Sequence, residues 1–245
     1  MTNDKGQIGS GASLRRQTFG AGSIAATPFA SRKRVDTEHI FETIRYRIST
    51  LEYRPGEILK EMELAAEFGA SRTPVRQVLQ RLELAGLIEP VVGYGSIVTP
   101  IDYEATSEVL KFRLQLALML EHFLDADKMK RAASEFATLL EEQNSGEPGD
   151  ATWFAELSHR CRWHVLSCIN NRFVANTWID TYYYASRLWY TSYDRAKMAF
   201  QALQREELET YRDSFATGDP KQAALTMYKS HQRWMDAIWE SMKPA

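Results

Sequence analysis

Apolar side chains recur at helical spacing near the start of the chain, where Ile40, Ile44 and Ile48 share one face of a predicted helix. The Arg-Pro-Gly sequence at 54–56 ends this helix, since Pro-Gly is a strong turn signal. A second helix is predicted from Glu61 to about Phe68, and the glycine after it suits the left-handed position at a helix end.

A third helix and a hairpin follow. Ser71 is the predicted N-cap of this helix, which ends near Gly86 and has one apolar face: Val75, Val78, Leu79 and Leu82. Apolar runs at 87–92 and 96–98 then flank a Gly-Tyr-Gly tip, which predicts a short β-hairpin. Three helices followed by a hairpin are typical of a winged helix-turn-helix, here residues 36–100.

From Asp102 onward the pattern is helical throughout. Breaks fall at 144–150, 170–171 and 218–220, and six segments are each predicted to form a helix: 103–126, 128–143, 151–169, 172–193, 195–216 and 220–241. Such amphipathic helices need at least two layers to bury their apolar faces, so residues 101–245 form a domain of their own. The predicted fold class is mainly α: an N-terminal winged helix-turn-helix and a C-terminal all-α helical bundle.

Residues 1–35 lack apolar periodicity and are rich in small and basic side chains, which predicts a disordered basic arm. Two interpretations remain open. The arm is either a solvated tail without a role, or Arg32, Lys33 and Arg34 contact phosphates beside the main site.

Composition narrows the functional classes. A net charge of −2 argues against a protein that coats nucleic acid without specificity. No segment reaches the roughly 20 apolar residues of a membrane span, and no apolar stretch suggests a secretory signal. Cys161 and Cys168 lie two helical turns apart, about 10 Å, which is too far for a disulfide. We therefore expect a cytoplasmic protein with reduced cysteines and no membrane partner.

The start of the third helix carries the candidate chemistry. Arg72, Thr73 and Arg76 project from its first turn and a half, opposite the apolar face, and no acid lies between Ala70 and Leu82. An arginine there can pair with O6 and N7 of guanine in the major groove, and hydroxyls can hold phosphates. A glycine-rich wing lets the backbone approach a neighbouring groove. The candidate DNA-binding residues are Lys60, Ser71, Arg72, Thr73, Arg76, Gly93, Tyr94 and Gly95.

Residues 38–100 resemble the N-terminal domain of the GntR family of bacterial regulators. The resemblance lies in the segment from Leu64 to Leu82, in Ala85-Gly86-Leu87-Ile88 and in the turn at 54–56. It implies that Arg72 and Arg76 read bases, that Ser71 and Thr73 hold phosphates and that residues 93–95 form the wing contact. Met62 departs from the pattern, because FadR-like relatives can place a base-reading arginine there.

The C-terminal helices resemble the sensor domain of the FadR subgroup, often called the FCD domain. Many such domains bind a divalent metal through one Asp and three His, and the metal holds a carboxylate effector. Here those positions hold Ser158, Arg162, Leu208 and Ser230, and a second register through His164 also fails to supply four ligands. The sequence therefore predicts no metal and no other cofactor, and the histidines at 159, 164 and 231 are interpreted as ordinary surface or core residues.

In place of a metal, Arg113 or Arg162 is expected to supply the positive charge for a small anionic effector, most naturally a carboxylate. The aromatic run from Tyr182 to Tyr193 has two interpretations: helix packing with some dimer surface, or rings that line the effector cavity. The candidate effector-binding residues are Arg113, Ser158, Arg162, His164, Tyr183 and Ser230.

The functional prediction is a ligand-responsive transcriptional regulator, not an enzyme. The resemblance implies a homodimer on a palindromic double-stranded DNA operator, with repression relieved by the effector. A constitutive DNA-binding protein whose C-terminal domain only dimerises remains the alternative. An enzyme is disfavoured because the helices carry no nucleophile elbow, phosphate loop or HExxH pair.

Overall fold

The computed structural model describes residues 36–145 and 149–243 of the 245-residue chain. The predicted basic arm, residues 1–35, lies outside the described residues. The N-terminal domain contains helices α1 (Thr37–Ser49), α2 (Glu61–Glu67) and α3 (Arg72–Leu84), and strands β1 (Ile58–Leu59), β2 (Ile88–Val91) and β3 (Gly95–Val98). Three helices and a hairpin in this order confirm the predicted winged helix-turn-helix.

The core of the N-terminal domain joins the apolar faces of α1 and α3. Ile44, Val75 and Val78 are fully buried, so the periodicity of the sequence correctly located both inward faces. Asp36 caps α1 by accepting a hydrogen bond from the backbone N–H of His39. Helix α2 ends as expected, with Gly69 at a φ of 60°.

The sheet has three strands in the order β1-β3-β2, all antiparallel. β1 has only two residues, and the sequence pattern gave no indication of it. Gly95 has a φ of 123°, and a Cβ at this position would lie 2.5 Å from the backbone oxygen of Leu59. Glycine is therefore required where the hairpin passes β1, and it fixes the start of the wing.

Within residues 101–145 and 149–243, the secondary structure of the C-terminal domain is helical apart from an isolated bridge between Leu124 and Ile169. Its helices are α4 (Tyr103–Met119), α5 (Ala126–Ser145), α6 (Ala151–Cys168), α7 (Arg172–Ala216) and α8 (Pro220–Ser241), with a short 3-10 turn, Leu120–His122, after α4. This confirms the predicted all-α domain, although α4 is shorter than expected.

Helix α7 corrects the prediction of two separate helices at 172–193 and 195–216. It runs through 45 residues, with non-helical dihedral angles only at Ala196 (φ −120°, ψ 19°). A kink therefore replaces the expected loop. Within the described residues, no helix is both long and apolar enough to cross a membrane. Cys161 and Cys168 are buried free thiols, as expected.

Candidate functional site

Helix α3 presents its polar end to solvent. Ser71 occupies the N-cap position, and Arg72, Thr73 and Arg76 are exposed on the side opposite the buried valines. The side chain of Ser71 makes no capping hydrogen bond, so its hydroxyl is not committed to the helix end. This arrangement leaves two guanidinium groups and two hydroxyls on one accessible surface.

Helix α2 contacts both arginines. Arg76 donates from Nε and Nη2 to the two carboxylate oxygens of Glu61, each at 2.8 Å, and Nη2 of Arg72 lies 2.7 Å from Sδ of Met62. The hydrogen bonds from Arg76 are the main reason that the pKa of Glu61 is lowered. Arg76 therefore has an acidic partner in this structure, whereas the Arg72 contact is with a neutral thioether.

The wing lies at the tip of the hairpin. Tyr94 is 70% exposed between Gly93 and Gly95, and its backbone N–H donates to the carbonyl of Val91 at 3.0 Å. Lys60 immediately precedes α2, and its Nζ lies 2.7 Å from Oε1 of Glu63. The structure thus places every predicted DNA-binding residue on the surface, while their roles in binding DNA stay predictions.

The interior of the C-terminal domain holds an arginine that has no carboxylate partner among the residues that the structure describes. Arg113 is 2% exposed; its Nη1 donates to the carbonyl of Trp178 and to Oγ1 of Thr181, both at 2.8 Å, and its Nη2 makes no hydrogen bond. Burial, followed by the charge of Arg162, lowers the pKa of Arg113 to about 9. A buried cation that keeps a free donor is suited to receive an anion.

The positive charge of Arg162 is balanced by a carboxylate. Its Nη2 lies 2.6 Å from Oε2 of Glu207, and both side chains are almost fully buried. The other oxygen of Glu207 accepts a hydrogen bond from Oγ of Ser230 at 2.9 Å. Burial alone would lower the pKa of Arg162, but the Glu207 carboxylate and neighbouring groups raise it well above its usual value. Arg113, Arg162, Glu207 and Ser230 together form what we call the arginine core.

Among the described residues, the other predicted effector residues make no hydrogen bond or ion pair with this core, although Ser158 lies one helical turn from Arg162 on the same side of α6. Ser158 accepts a hydrogen bond from Nε2 of Gln204 at 2.7 Å. His164 lies on a different face of α6 and lines a surface cavity with Lys128 and Arg131. Tyr183 faces the N-terminal domain, whereas its neighbour Tyr182 places its ring 6.0 Å from the Arg113 guanidinium and 5.9 Å from that of Arg162. Tyr182, rather than the predicted Tyr183, is therefore the tyrosine that lies beside the arginine core, and effector binding by either ring stays a prediction.

The positions that the resemblance to FadR-like sensors aligns with metal ligands include side chains that have other partners or no donor atom. Arg162 is ion-paired, Ser158 is bound to Gln204 and Leu208 is a fully buried apolar side chain that cannot coordinate. Over residues 36–145 and 149–243, no group of three or more His, Cys, Asp or Glu side chains could hold a metal ion. A cavity of about 320 Å³ instead opens beside the arginine core, and Glu207, Ser230 and Trp234 contribute to its lining.

Comparisons with known proteins support the assignment of the N-terminal domain. Residues 36–98 match the family profile described as bacterial regulatory proteins, gntR family. This stretch, which we call the GntR domain, is therefore similar to the DNA-binding domain of that family, and the proteins that the chain resembles are transcriptional regulators rather than enzymes.

Individual relatives match mainly in the same region. An HTH-type regulator in an unstable DNA locus of Streptomyces ambofaciens is 42% identical over 69 residues, covering 28% of this chain and 29% of the relative. The regulator YdhC of Bacillus subtilis is 34% identical over 92 residues (37% and 39%), and the Nta operon transcriptional regulator of Aminobacter aminovorans is 32% identical over 98 (39% and 46%). The chain thus matches less than half the length of these relatives.

Solved structures extend the likeness to the whole fold. McbR/YncC of E. coli has a TM-score of 0.69 at 19% identity, covering 86% of this chain and all of that one. A GntR regulator from Rhodococcus sp. RHA1 has a TM-score of 0.59 at 16% identity, covering 84% and 99%. At these identities the likeness establishes the fold, in which a GntR domain is followed by helices.

A polar junction joins the GntR domain to α7. Arg45 of α1 is 3% exposed and contacts Oδ1 of Asp180 at 2.5 Å and Oε1 of Glu42 at 2.6 Å, and its guanidinium lies 4.0 Å from the ring centre of Tyr183. Further along α7, Arg187 donates to the backbone oxygen and the hydroxyl of Thr99. We call the set Arg45, Asp180, Tyr183 and Arg187 the junction.

Sequence reasoning missed the junction and Glu207. One signal was available for Arg45, because it lies one turn from Phe41 and next to Ile44, on the edge of the apolar face of α1. A charged side chain at a core-facing position needs a partner, so this arginine could have been identified as a contact residue. Glu207 gave no comparable signal, since it belongs to a run of acids in which only the fold shows which one points inward.

Proposed function

We propose that this protein is a ligand-responsive transcriptional regulator that binds a palindromic operator as a homodimer, and that a small anionic effector relieves repression. The observation that carries the proposal is the exposed pair Arg72 and Arg76 at the start of α3, followed by a glycine-bounded wing. A helix end of this kind fits the major groove, where a guanidinium can distinguish guanine from the other bases.

Two copies are required by the size of the recognition surface. A single winged helix contacts too few base pairs to select one site in a genome, so specific binding requires two DNA-binding domains on two half-sites. A symmetric dimer would place two copies of α3 in successive major grooves, and the operator would share the symmetry of the protein.

The C-terminal domain is proposed to be a FadR-subgroup sensor of the FCD type that works without a metal. Arg113 supports this proposal, because it is buried, carries a free Nη2 donor and has no carboxylate partner among the described residues. Arg162 is the weaker candidate for the same task, because Glu207 already balances its charge. A carboxylate that accepts from Arg113 is the effector chemistry that the core favours.

Contacts along α7 suggest how an effector could act on the GntR domain. Tyr182 faces the arginine core, and the next residue, Tyr183, lies against Arg45 and donates to Oε2 of Glu42 at 3.3 Å. A ligand that shifts α7 near Arg113 would therefore alter the contacts that orient α1. The affinity for the operator would change because the DNA-binding domains of both copies must fit their half-sites at the same time.

Selection from a randomised duplex DNA library, followed by sequencing of the bound fraction, tests the DNA-binding part. We expect an inverted repeat, and binding without any motif would contradict the proposal. Thermal-shift screening against a panel of mono- and dicarboxylates then tests the sensor part. A compound that stabilises the protein and weakens operator binding supports it, whereas DNA binding that no compound alters would favour the constitutive alternative.

A further inference from the structure

The contact between α2 and α3 suggests a role for an acidic residue on a surface that is otherwise expected to bind an anion. Glu61 is 28% exposed and Arg76 is 62% exposed, so their pairing is not a buried structural ion pair. Exposed pairs of this kind contribute little to folding stability. A carboxylate beside DNA also repels phosphates, so the presence of Glu61 here needs an explanation other than stability or affinity.

The atoms through which Glu61 and Arg76 contact each other suggest an explanation. Glu61 binds the edge of the Arg76 guanidinium formed by Nε and Nη2. A guanidinium has five N–H donors, and this arrangement leaves both donors of Nη1 and one of Nη2 available. One Nη1 donor and the remaining Nη2 donor point in the same direction at the end of the guanidinium. We call this pair the end-on fork, and its two parallel donors match the O6 and N7 acceptors of guanine.

We propose that Glu61 is a positioning residue for DNA specificity: it holds Arg76 by one edge so that the opposite fork is presented to guanine. An arginine that is oriented before binding loses less side-chain freedom when it meets the base. The carboxylate also remains near the base edge, where it disfavours a shift of Arg76 towards the phosphates. This inference rests on the proposed function, because it assumes that α3 enters the major groove.

The chain offers a matched control. Glu63 lies on the same helix, also carries a negative charge and is 66% exposed, but it pairs with Lys60 rather than with Arg76. Glu61→Gln and Glu63→Gln each remove one negative charge near the DNA. Any general gain in affinity for phosphate should therefore occur in both variants, and only a change confined to Glu61→Gln reports on Arg76.

The experiment uses the full chain and the duplex selected from a randomised library by the wild type. Binding to this duplex and to a scrambled duplex is measured for the wild type, Glu61→Gln, Glu63→Gln and Arg76→Ala. We expect Glu61→Gln to lower the ratio of specific to scrambled affinity about tenfold, or roughly 1.4 kcal/mol, and Glu63→Gln to leave it within about twofold. Equal ratios of specific to scrambled affinity for the two glutamine variants would overturn the proposal. A higher ratio for Glu61→Gln than for the wild type would also overturn it, because Glu61 would then be masking Arg76.

A second readout excludes a purely structural effect. Replacing the guanine read by Arg76 with 7-deazaguanine removes the N7 acceptor, so wild-type binding should fall about tenfold and Glu61→Gln binding less than about threefold. Equal losses in both proteins would contradict a positioning role. A wild type that selects no motif would overturn the proposed function and this inference together, whereas a motif that survives Glu61→Gln unchanged overturns the inference alone.

Discussion

Arg45 of α1 and Asp180 of α7 form an ion pair across the boundary between the GntR domain and the helical domain, with 2.5 Å between Nη1 and Oδ1. Arg45 also holds Glu42 and lies over the ring of Tyr183. One side chain of the GntR domain therefore contacts two residues of the long helix α7, Asp180 and Tyr183.

Replacement of Arg45 should weaken the junction measurably. Arg45→Met leaves Glu42 and Asp180 without their cation, and we expect the free energy of unfolding to fall by about 2–3 kcal/mol, below the usual loss for a fully buried pair because Asp180 is 56% exposed. Urea unfolding followed by circular dichroism measures this. Arg212→Met, which breaks the exposed contact with Asp213, is the matched control and should cost less than about 1 kcal/mol. Similar losses in the two variants would mean that the junction contributes no more than a surface pair.

Arg113 should show a trade-off between stability and response. Its charge is buried and pairs with no carboxylate in the described part of the chain, so Arg113→Met replaces a costly cation with an apolar side chain and should leave the midpoint of thermal unfolding unchanged or raise it. The same substitution should abolish the thermal shift that an active carboxylate produces in the wild type. A variant that still responds to the ligand would show that Arg113 does not hold the anion.

Two neighbouring glutamates allow a direct test of the arginine core. Glu207→Gln leaves Arg162 buried without an ionised partner, and we expect a loss of about 3–5 kcal/mol in the free energy of unfolding. Glu206 pairs with Arg233 on the surface, where both side chains are more than 40% exposed, so Glu206→Gln should cost less than about 1 kcal/mol. Chemical denaturation of both variants provides the comparison, and equal effects would contradict the burial of the Arg162–Glu207 pair.

His159 should make the protein sensitive to mild acid. Burial and then the charge of Arg45 lower its pKa to about 3, and its Nε2 accepts a hydrogen bond from Trp163 at 2.6 Å. In the unfolded chain the pKa of His159 is about 6.5, so below this pH the unfolded chain binds a proton that the folded chain does not bind. The contribution of His159 to the free energy of unfolding is therefore fully present above this pH and decreases as the pH falls towards 3. This group alone accounts for a loss of about 2 kcal/mol between pH 7 and pH 5.

The measurement is the difference in that loss between the wild type and His159→Gln. Glu42, whose pKa is raised chiefly by burial, contributes with the opposite sign in both proteins, so the subtraction isolates the histidine. His122→Gln is the control, because the His122 side chain is 69% exposed. A wild type and a His159→Gln variant with the same dependence on pH would show that His159 is protonated as readily in the folded state as in the unfolded chain.

The sequence alone predicted the helices whose position depends on local features, namely apolar periodicity and turn signals. The apolar faces of α1 and α3 follow from periodicity, and the start of α8 follows from Asp219, which caps the helix by accepting from the backbone N–H groups of Lys221 and Gln222. The sequence analysis placed a helix boundary at 194, close to Ala196, but predicted two helices rather than one kinked helix, and it did not predict the two-residue strand β1. No glycine or proline marks the kink, and two residues are too few to show alternation.

The candidate site was predictable where exposure alone decides it. Arg72 and Arg76 lie at a helix start, so their accessibility follows from the same periodicity that buries Val75 and Val78. The interior of the C-terminal domain was predictable only in part. Arg162 was expected to supply positive charge to an effector, but it pairs with Glu207, which is 45 positions away along the chain and reaches it only through the packing of α6 against α7. Tyr183 and Tyr182 are adjacent, and only tertiary structure shows that they face different domains.

The central claim, that α3 recognises DNA through Arg72 and Arg76, is tested most directly by binding of the wild type and the Arg72→Ala/Arg76→Ala double variant to the library-selected duplex and to a scrambled one. We predict that the double variant loses at least a hundredfold in affinity for the selected duplex, or about 2.7 kcal/mol, and retains little preference over the scrambled one. If the double variant binds both duplexes with wild-type affinity and the same preference, another part of the protein recognises the DNA.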